Sequence, residues 1–156
     1  MNDNPFVSVI IPIRNEEKFI SRCLQSVVDQ DYPTDRMEVL VVDGGSEDRS
    51  PEIVAEFSSR YPMIRLLDNP KLNAPAGLNL GIREARGDII VRVDGHCWLE
   101  PDYVSQCVRS IQETGADNVG GLMQAVGQDY VGQVIALAIN SFFGSGGSKF
   151  HYASKE

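Results

Sequence analysis

The sequence predicts an α/β protein built on a mainly parallel sheet. Two observations carry this. Short apolar runs recur at Phe6–Ile11, Met37–Val42, Ile64–Leu67 and Ile89–Val93. Between them lie stretches whose apolar residues repeat at the helical period. Strands that alternate with helices imply βαβ units and a parallel sheet.

The elements follow in order. Phe6–Ile11 reads as a buried strand stopped by Pro12. Glu16–Gln30 carries Phe19, Ile20, Cys23, Leu24, Val27 and Val28 on one stripe, a one-faced helix. Asn15 is the expected N-cap, and Asp31-Tyr32-Pro33 closes the helix. Met37–Val42 is the second strand, with Asp43-Gly44-Gly45-Ser46 as its exit turn. Ser50-Pro51 opens a helix through about Tyr61, with proline at the first helical position. Ile64–Leu67 is the third strand, and Asn73–Arg86 is helical despite Gly77 and Gly81. Each interior glycine costs a helix about 1 kcal/mol relative to alanine, which points to tight packing on the sheet or to close approach of a ligand. Ile89–Val93 is the fourth strand, Pro101–Thr114 a helix, Asn118–Met123 a fifth strand, and Tyr130–Phe142 a last helix. The Gly/Ser-rich tail from Gly144 to Glu156 reads as flexible, with His151 solvated.

Composition narrows the function. The chain has 156 residues, 42% apolar and 23% charged, which suits one soluble domain. Its formal net charge is −8 and no Lys/Arg cluster occurs, against general nucleic-acid binding. The same acidity would repel a phosphorylated ligand unless a cation mediates. Cys23, Cys97 and Cys107 form no CxxC pair. An odd count argues for free thiols and a reducing compartment. The N-terminal MNDNPFVSV is no secretory signal. The apolar tract Val131–Phe143 falls short of the ~20 residues that a membrane span needs. A cytoplasmic location is expected.

Several motifs are excluded. The first strand is followed by Pro12-Ile13-Arg14-Asn15-Glu16-Glu17, not by GxGxxG, and neither GxxxxGK[ST] nor GxSxG occurs. What remains are carboxylates at strand ends, where open α/β sheets bind ligands. Asp43 can accept from a ribose hydroxyl or a base N–H, or simply close an Asx turn. Asp48 alone reads as a charge in the first turn of the next helix. Asp94-Gly95-His96 can aim an oxygen and a nitrogen at one point, compatible with Mn²⁺ or Mg²⁺. Two ligands are too few for a structural site, but suffice if a diphosphate supplies the remaining oxygens. The bland alternative is a turn Asp and a half-buried His. Cys23 and Cys107 read as core, Trp98 as packing, and Cys97 as the one thiol near the site.

Taken in order, VSVIIPIRNEE, LVVDGGSEDRS and NAPAGLNLGIREARGDIIVRVDGH resemble family 2 glycosyltransferases over about residues 6–125. The DGH variant is most similar to the bacterial exopolysaccharide, succinoglycan-type branch. Each motif alone is weak; four in register are specific. The resemblance implies a GT-A, Rossmann-like fold with strand order 3-2-1-4 plus later strands. It also implies transfer of a sugar, with inversion, from a nucleotide-diphosphate donor (a UDP-sugar) to a saccharide or lipid-linked acceptor, with a divalent metal. Pro12, Asn15 and Glu16 or Glu17 match the first nucleotide-contacting loop. Asp43 matches the base-reading carboxylate, and Ser46 and Asp48 its loop. Lys71 and Asn73 match a base- or phosphate-contacting segment. Gly77, Asn79 and Gly81 match the helix under the donor. Asp94 and His96 match the DxD motif, with His in place of the second Asp, so metal preference is open.

The resemblance also places the general base in a later ED-type motif. After Asp117 the only acids are Asp129 and Glu156. Residues 1–125 are therefore expected to be the donor-binding half, and 126–156 the start of an acceptor-side region, with little turnover by this chain alone. Membrane contact is expected only through a longer protein. An apolar edge that self-associates is a further expectation. Two other readings stay open: a nucleotide- or metal-binding module without transferase chemistry, and a purely structural role for each carboxylate.

Overall fold

The computed structural model describes residues 4–127 and 129–141. Two compact units divide the chain, Met1–Glu113 and Thr114–Glu156. The first contains β1 (Val7–Ile13), α1 (Ile20–Val28), β2 (Met37–Asp43), α2 (Ser50–Arg60), β3 (Ile64–Asp68), α3 (Ala74–Glu84), β4 (Ile89–Arg92) and α4 (Tyr103–Thr114). The four strands form one parallel sheet in the order β3-β2-β1-β4, as the resemblance implied.

β1 and β2 are central and covered on both faces, which explains their unbroken apolar runs. Side chains alternate between the faces. Val7, Val9, Ile11 and Ile13 join Met37, Val39 and Val41 in the main core, against Ile20, Leu24 and Val27 of α1, Val54 and Phe57 of α2, and Val104 and Val108 of α4. The opposite face carries Ile10 and Val42 and receives α3. A Cβ at Gly81 would lie 2.5 Å from Ile10 Cγ2. The glycines of α3 therefore serve contact with the sheet.

At the amino ends of the strands, the same face buries a carboxylate. Glu38 is 1% exposed. Its Oε1 accepts from Ser8 Oγ (2.7 Å) and from Arg86 N (2.7 Å), and its Oε2 from Arg86 Nε (3.0 Å). Arg86 Nη2 and Arg65 Nη1 lie 2.8 and 3.7 Å from Oε2. Ser8 Oγ in turn accepts from Gly87 N at 2.8 Å. Burial alone would raise the Glu38 carboxyl, but these bonds and the Arg86 charge hold it below its ordinary value.

Four expectations need correction. β1 does not stop at Pro12 but runs through it to Ile13, pairing Pro12 with Val42. Ile10 O accepts from Val93 N and Ile13 O from Gly44 N, so alternate residues of β1 bond to β4 and β2. Pro12 belongs to the set facing β4, which has already ended, and its missing N–H breaks no ladder. Asn15 is not the N-cap of α1; Phe19 holds that place without a side-chain cap. The turn before it is closed by Phe19 N and Ile20 N donating to Glu16 O, which frees Asn15 for another task. Asn118–Met123 is no strand. It pairs with no strand among the described residues, and Leu122 and Met123 are exposed.

The fourth correction concerns the last helix, expected through Phe142. α5 spans Tyr130–Ile139. Asp129 caps it, accepting from Gly132 N at 2.6 Å. Asn140 follows it and clasps Ala125, donating to its carbonyl and accepting from its N–H. Val131, Val134, Ile135 and Leu137 are exposed. The tail expected to be flexible lies outside the described residues, as does His151. No helix among the described residues is long and apolar enough to cross a membrane.

Candidate functional site

Because all four strands are parallel, their carboxyl ends lie on one side of the sheet. The loops leaving β1 and β2 are bound to each other there. Ser46 Oγ accepts from Asn15 N (2.9 Å), Asn15 Oδ1 from Glu47 N (2.8 Å), Ser50 Oγ from Glu16 N (2.8 Å), and Asp48 Oδ2 from Glu17 N (3.0 Å). Asn15 takes part with a left-handed backbone, φ 57°, a conformation asparagine tolerates better than most residues. Asp43 lies beneath, 8% exposed, accepting from Ser46 N (3.1 Å) and from Ser46 Oγ (2.5 Å). It closes the Asx-type turn, and its carboxylate retains acceptor capacity. Asp48 also accepts from Ser50 N at 3.0 Å. Desolvation opposes its ionisation, but the Ser50 and Glu17 bonds outweigh that and hold its carboxyl low.

A groove of about 330 Å³ opens beside this frame, within the range of small-ligand sites. Among the sequence-predicted residues, Pro12, Glu16, Asn73, Asp94 and His96 line it. Asn73 also caps α3, accepting from Ala76 N at 2.9 Å. Asn15, Asp43, Ser46 and Asp48 are the frame behind it. Lys71 and Asn79 are exposed and do not line it. Asn79 stands two residues after Gly77, which faces Val42 and Pro12 of the sheet. That spacing turns it about 200° away from the sheet.

After β4, Asp94-Gly95-His96-Cys97 forms a tight turn, closed by Cys97 N donating to Asp94 O at 2.9 Å. A Cβ at Gly95 would lie 2.9 Å from Ile13 Cγ2 and 3.2 Å from Glu16 Cγ. Glycine thus lets the turn sit against the end of β1. Glu16 Oε1 meets His96 Nδ1 at 2.9 Å. An ionised carboxylate only accepts, so Nδ1 donates to it, and in the neutral imidazole Nε2 then carries the lone pair. Arg92 donates through Nε (3.1 Å) and Nη2 (3.0 Å) to Asp94 Oδ1. Asp94 Oδ2 remains for another partner. One ligand atom each from Asp94, His96 and Cys97 lies within 4.8 Å of the others. Burial and the nearby Asp94 raise the Cys97 thiol. Burial, with Cys97, Glu16 and Asp94 nearby, pushes buried Cys23 up to about 12.

Sequence reasoning missed two cations of the groove, Arg14 and Arg92. The signal was present. Arg92 stands two residues before Asp94, the spacing that returns to the same face of a strand, and Arg14 directly follows β1. Arg14 Nη1 also donates to Leu72 O at 3.3 Å. Leu72 has φ 56°, an uncommon conformation for a bulky residue.

The model of glycosyl transferase family 2 matches residues 8–151. The chain belongs to this family. It is 42% identical over 118 residues to the glycosyltransferase AglE of Haloferax volcanii, covering 75% of this chain and 39% of AglE. It is 34% identical over 143 residues to the succinoglycan biosynthesis protein ExoA of Rhizobium meliloti, covering 90% of this chain and 43% of ExoA. The chain thus spans less than half the length of these relatives. Among solved structures, the mannosyltransferase PcManGT of Pyrobaculum calidifontis, in complex with GDP-Man and Mn²⁺, is 30% identical, with a TM-score of 0.66 over 81% of this chain and 37% of that one. S. aureus TarS 1-349, in complex with UDP, is 26% identical with a TM-score of 0.66, over 80% of this chain and 40% of that one. These likenesses confirm the GT-A type of fold and the glycosyltransferase resemblance.

Proposed function

We propose that the groove binds the nucleotide-diphosphate part of a sugar donor, and that the family 2 protein to which this chain corresponds transfers that sugar, with inversion, to a saccharide or lipid-linked acceptor. One observation carries the reading. Asp94 and His96 project from the end of β4 into the same groove as Glu16, Arg14 and Arg92. Acidic ligands for a cation and basic partners for an anion thus meet at the carboxyl edge of a parallel sheet. Supporting it, one structural neighbour is a mannosyltransferase solved with GDP-Man and Mn²⁺, and another was solved with UDP.

The residues divide the work by chemistry. Asp43 and the frame built by Asn15, Ser46 and Asp48 shape the base end of the site. Pro12, Glu16 and Asn73 line the ribose and base region. Asp94 and His96 would hold a divalent cation, Mn²⁺ or Mg²⁺, and Glu16 would orient the His96 ring. Such a cation would offset the charge on the departing nucleoside diphosphate. Arg14 and Arg92 add positive charge to the groove of a protein whose net charge is −8. We assign the donor site to residues 1–125. The general base that takes the acceptor proton is not among the residues assigned here. A cytoplasmic location fits the three free thiols. The exposed apolar side of α5 is where self-association would act.

Calorimetric titration of UDP and of GDP, with Mn²⁺, Mg²⁺ or EDTA, tests the reading. Metal-dependent binding that disappears in Asp94→Ala is expected. A folded wild type that binds neither nucleotide under any of these conditions would overturn it.

A further inference from the structure

The turn after β4 offers more than an oxygen and an imidazole. Its closing bond, Cys97 N to Asp94 O, folds the chain back so that the Cys97 side chain returns beside Asp94. Leu99 N donates to Ser26 Oγ at 3.0 Å, and Gln30 Nε2 to Glu100 O at 2.7 Å. These bonds tie the residues that follow Cys97 to α1 and to the segment just after it. A carboxylate oxygen, a ring nitrogen and a thiol sulfur therefore sit within 4.8 Å of one another.

Ligand atoms around a tetrahedral Zn²⁺ are about 3.5 Å apart, from bond lengths of about 2.0–2.3 Å. Coordination would require the three side chains to draw together by that difference. The remaining polar contacts already suit a metal. Arg92 occupies Oδ1 of Asp94 and leaves Oδ2. Glu16 takes His96 Nδ1 and leaves Nε2, which is the carboxylate–histidine arrangement that orients metal-binding imidazoles.

We propose that Cys97 is a third protein ligand of this site, so that Asp94, His96 and Cys97 together take a thiophilic divalent ion such as Zn²⁺ or Co²⁺ in preference to Mg²⁺. The inference deepens the donor-site reading and rests on it for the location of the cation. Imidazole and thiolate select Zn²⁺ and Co²⁺ over the hard ions that all-oxygen sites favour. On coordination the Cys97 S–H proton passes to buffer and a metal–sulfur bond forms. Three protein ligands leave a fourth position open, the pattern of catalytic rather than structural zinc sites. A diphosphate oxygen or water would complete the coordination.

Titration of Co²⁺ alone into the chain, followed by absorption, tests this. The wild type should show a near-ultraviolet sulfur-to-cobalt charge-transfer band, bleached by one equivalent of Zn²⁺. Cys97→Ser should lose the band, while Cys23→Ser and Cys107→Ser keep it. Glu16→Gln should weaken Zn²⁺ binding by about 10–100-fold. A folded wild type without the band, or a band that survives Cys97→Ser, would overturn the proposal. Mapping of iodoacetamide labelling on the wild type avoids substitution altogether. Zn²⁺ should protect Cys97, and equal labelling with and without Zn²⁺ would refute the ligand role. UDP and GDP titrations with Mn²⁺ separate this from the donor reading. A charge-transfer band without nucleotide binding would sink the donor reading and leave the metal site standing, and the reverse result would do the opposite.

Discussion

Glu38 lies at the end of the sheet opposite the groove, and its removal should be felt in stability alone. Glu38→Ala deletes acceptors that hold Ser8 Oγ, Arg86 N and the Arg86 guanidinium. Bonds to a charged group contribute about 1.5–3 kcal/mol each at best. The Arg86 and Arg65 side chains are 66% and 40% exposed, so water recovers much of their share. Ser8 is buried, and its hydroxyl already accepts from Gly87 N, so its own proton is left without a partner. The expected loss is therefore about 2–4 kcal/mol, below the ~3–5 kcal/mol of a fully buried broken pair.

Glu38→Gln should cost less, because it keeps the shape and one acceptor. It still turns an N–H₂ toward a donor. The pH dependence has a definite sign. The folded carboxyl lies below its ordinary value of 4.5, so its contribution is full above that value. It is lost as pH falls through the depressed folded value. Urea unfolding at pH 7 and at a series of acidic pH values reads both effects. The gap between wild type and Glu38→Ala should narrow on acidification. A loss under about 0.5 kcal/mol, the scale of an ordinary surface substitution, or a gap that stays constant with pH, would refute this reasoning.

Other outcomes follow from the site. Gly95→Ala places a Cβ against Ile13 and Glu16; it should cost about 1–3 kcal/mol in urea unfolding and weaken Mn²⁺-dependent nucleotide binding by displacing Glu16 from His96. Ser46→Ala removes the acceptor for Asn15 N and the hydroxyl bound to Asp43; it should lower stability by about 1 kcal/mol and weaken nucleotide affinity, both readable by urea unfolding and calorimetry. Arg92→Gln should weaken UDP and GDP more than uridine and guanosine, if its charge serves the diphosphate. Cys23, pushed up to about 12, should resist iodoacetamide at pH 8 in the native state and react on unfolding. Its unfolded thiol ionises from about 9.0, so stability should fall as pH rises from there toward 12.

The sheet was legible in the sequence because β1 and β2 are buried on both faces and leave unbroken apolar runs. The order of its strands came from the family resemblance, which the structure bears out. Pro12 misled because a proline ends a strand only where an N–H is needed, and β4 is too short to need it. Asn15 misled because a side chain that can cap a helix can equally bind a neighbouring loop, a tertiary fact that no local pattern records. Asn118–Met123 has a strand's composition but forms no strand pairing among the described residues. In the site, Asp94 and His96 were visible as polar residues ending an apolar run, although β4 itself leaves Ile90 exposed. Arg14 and Arg92 were hidden by the overall acidity, which records charge but not where it gathers. Asn79 matched a motif, yet helical geometry turns it outward.

The bonds between the β1 and β2 exit loops are all of one kind: a side chain on one loop grips the main chain of the other. Asn15 holds the amide of residue 47, Ser46 that of 15, Asp48 that of 17, and Ser50 that of 16. Main-chain amides are the same whatever residue carries them, proline excepted. Each loop thus dictates the path of the other without dictating its sequence. Side chains at positions 16 and 47 can be exchanged while the curve of the loop persists. A binding edge made this way can change what it recognises one residue at a time, without first coming apart.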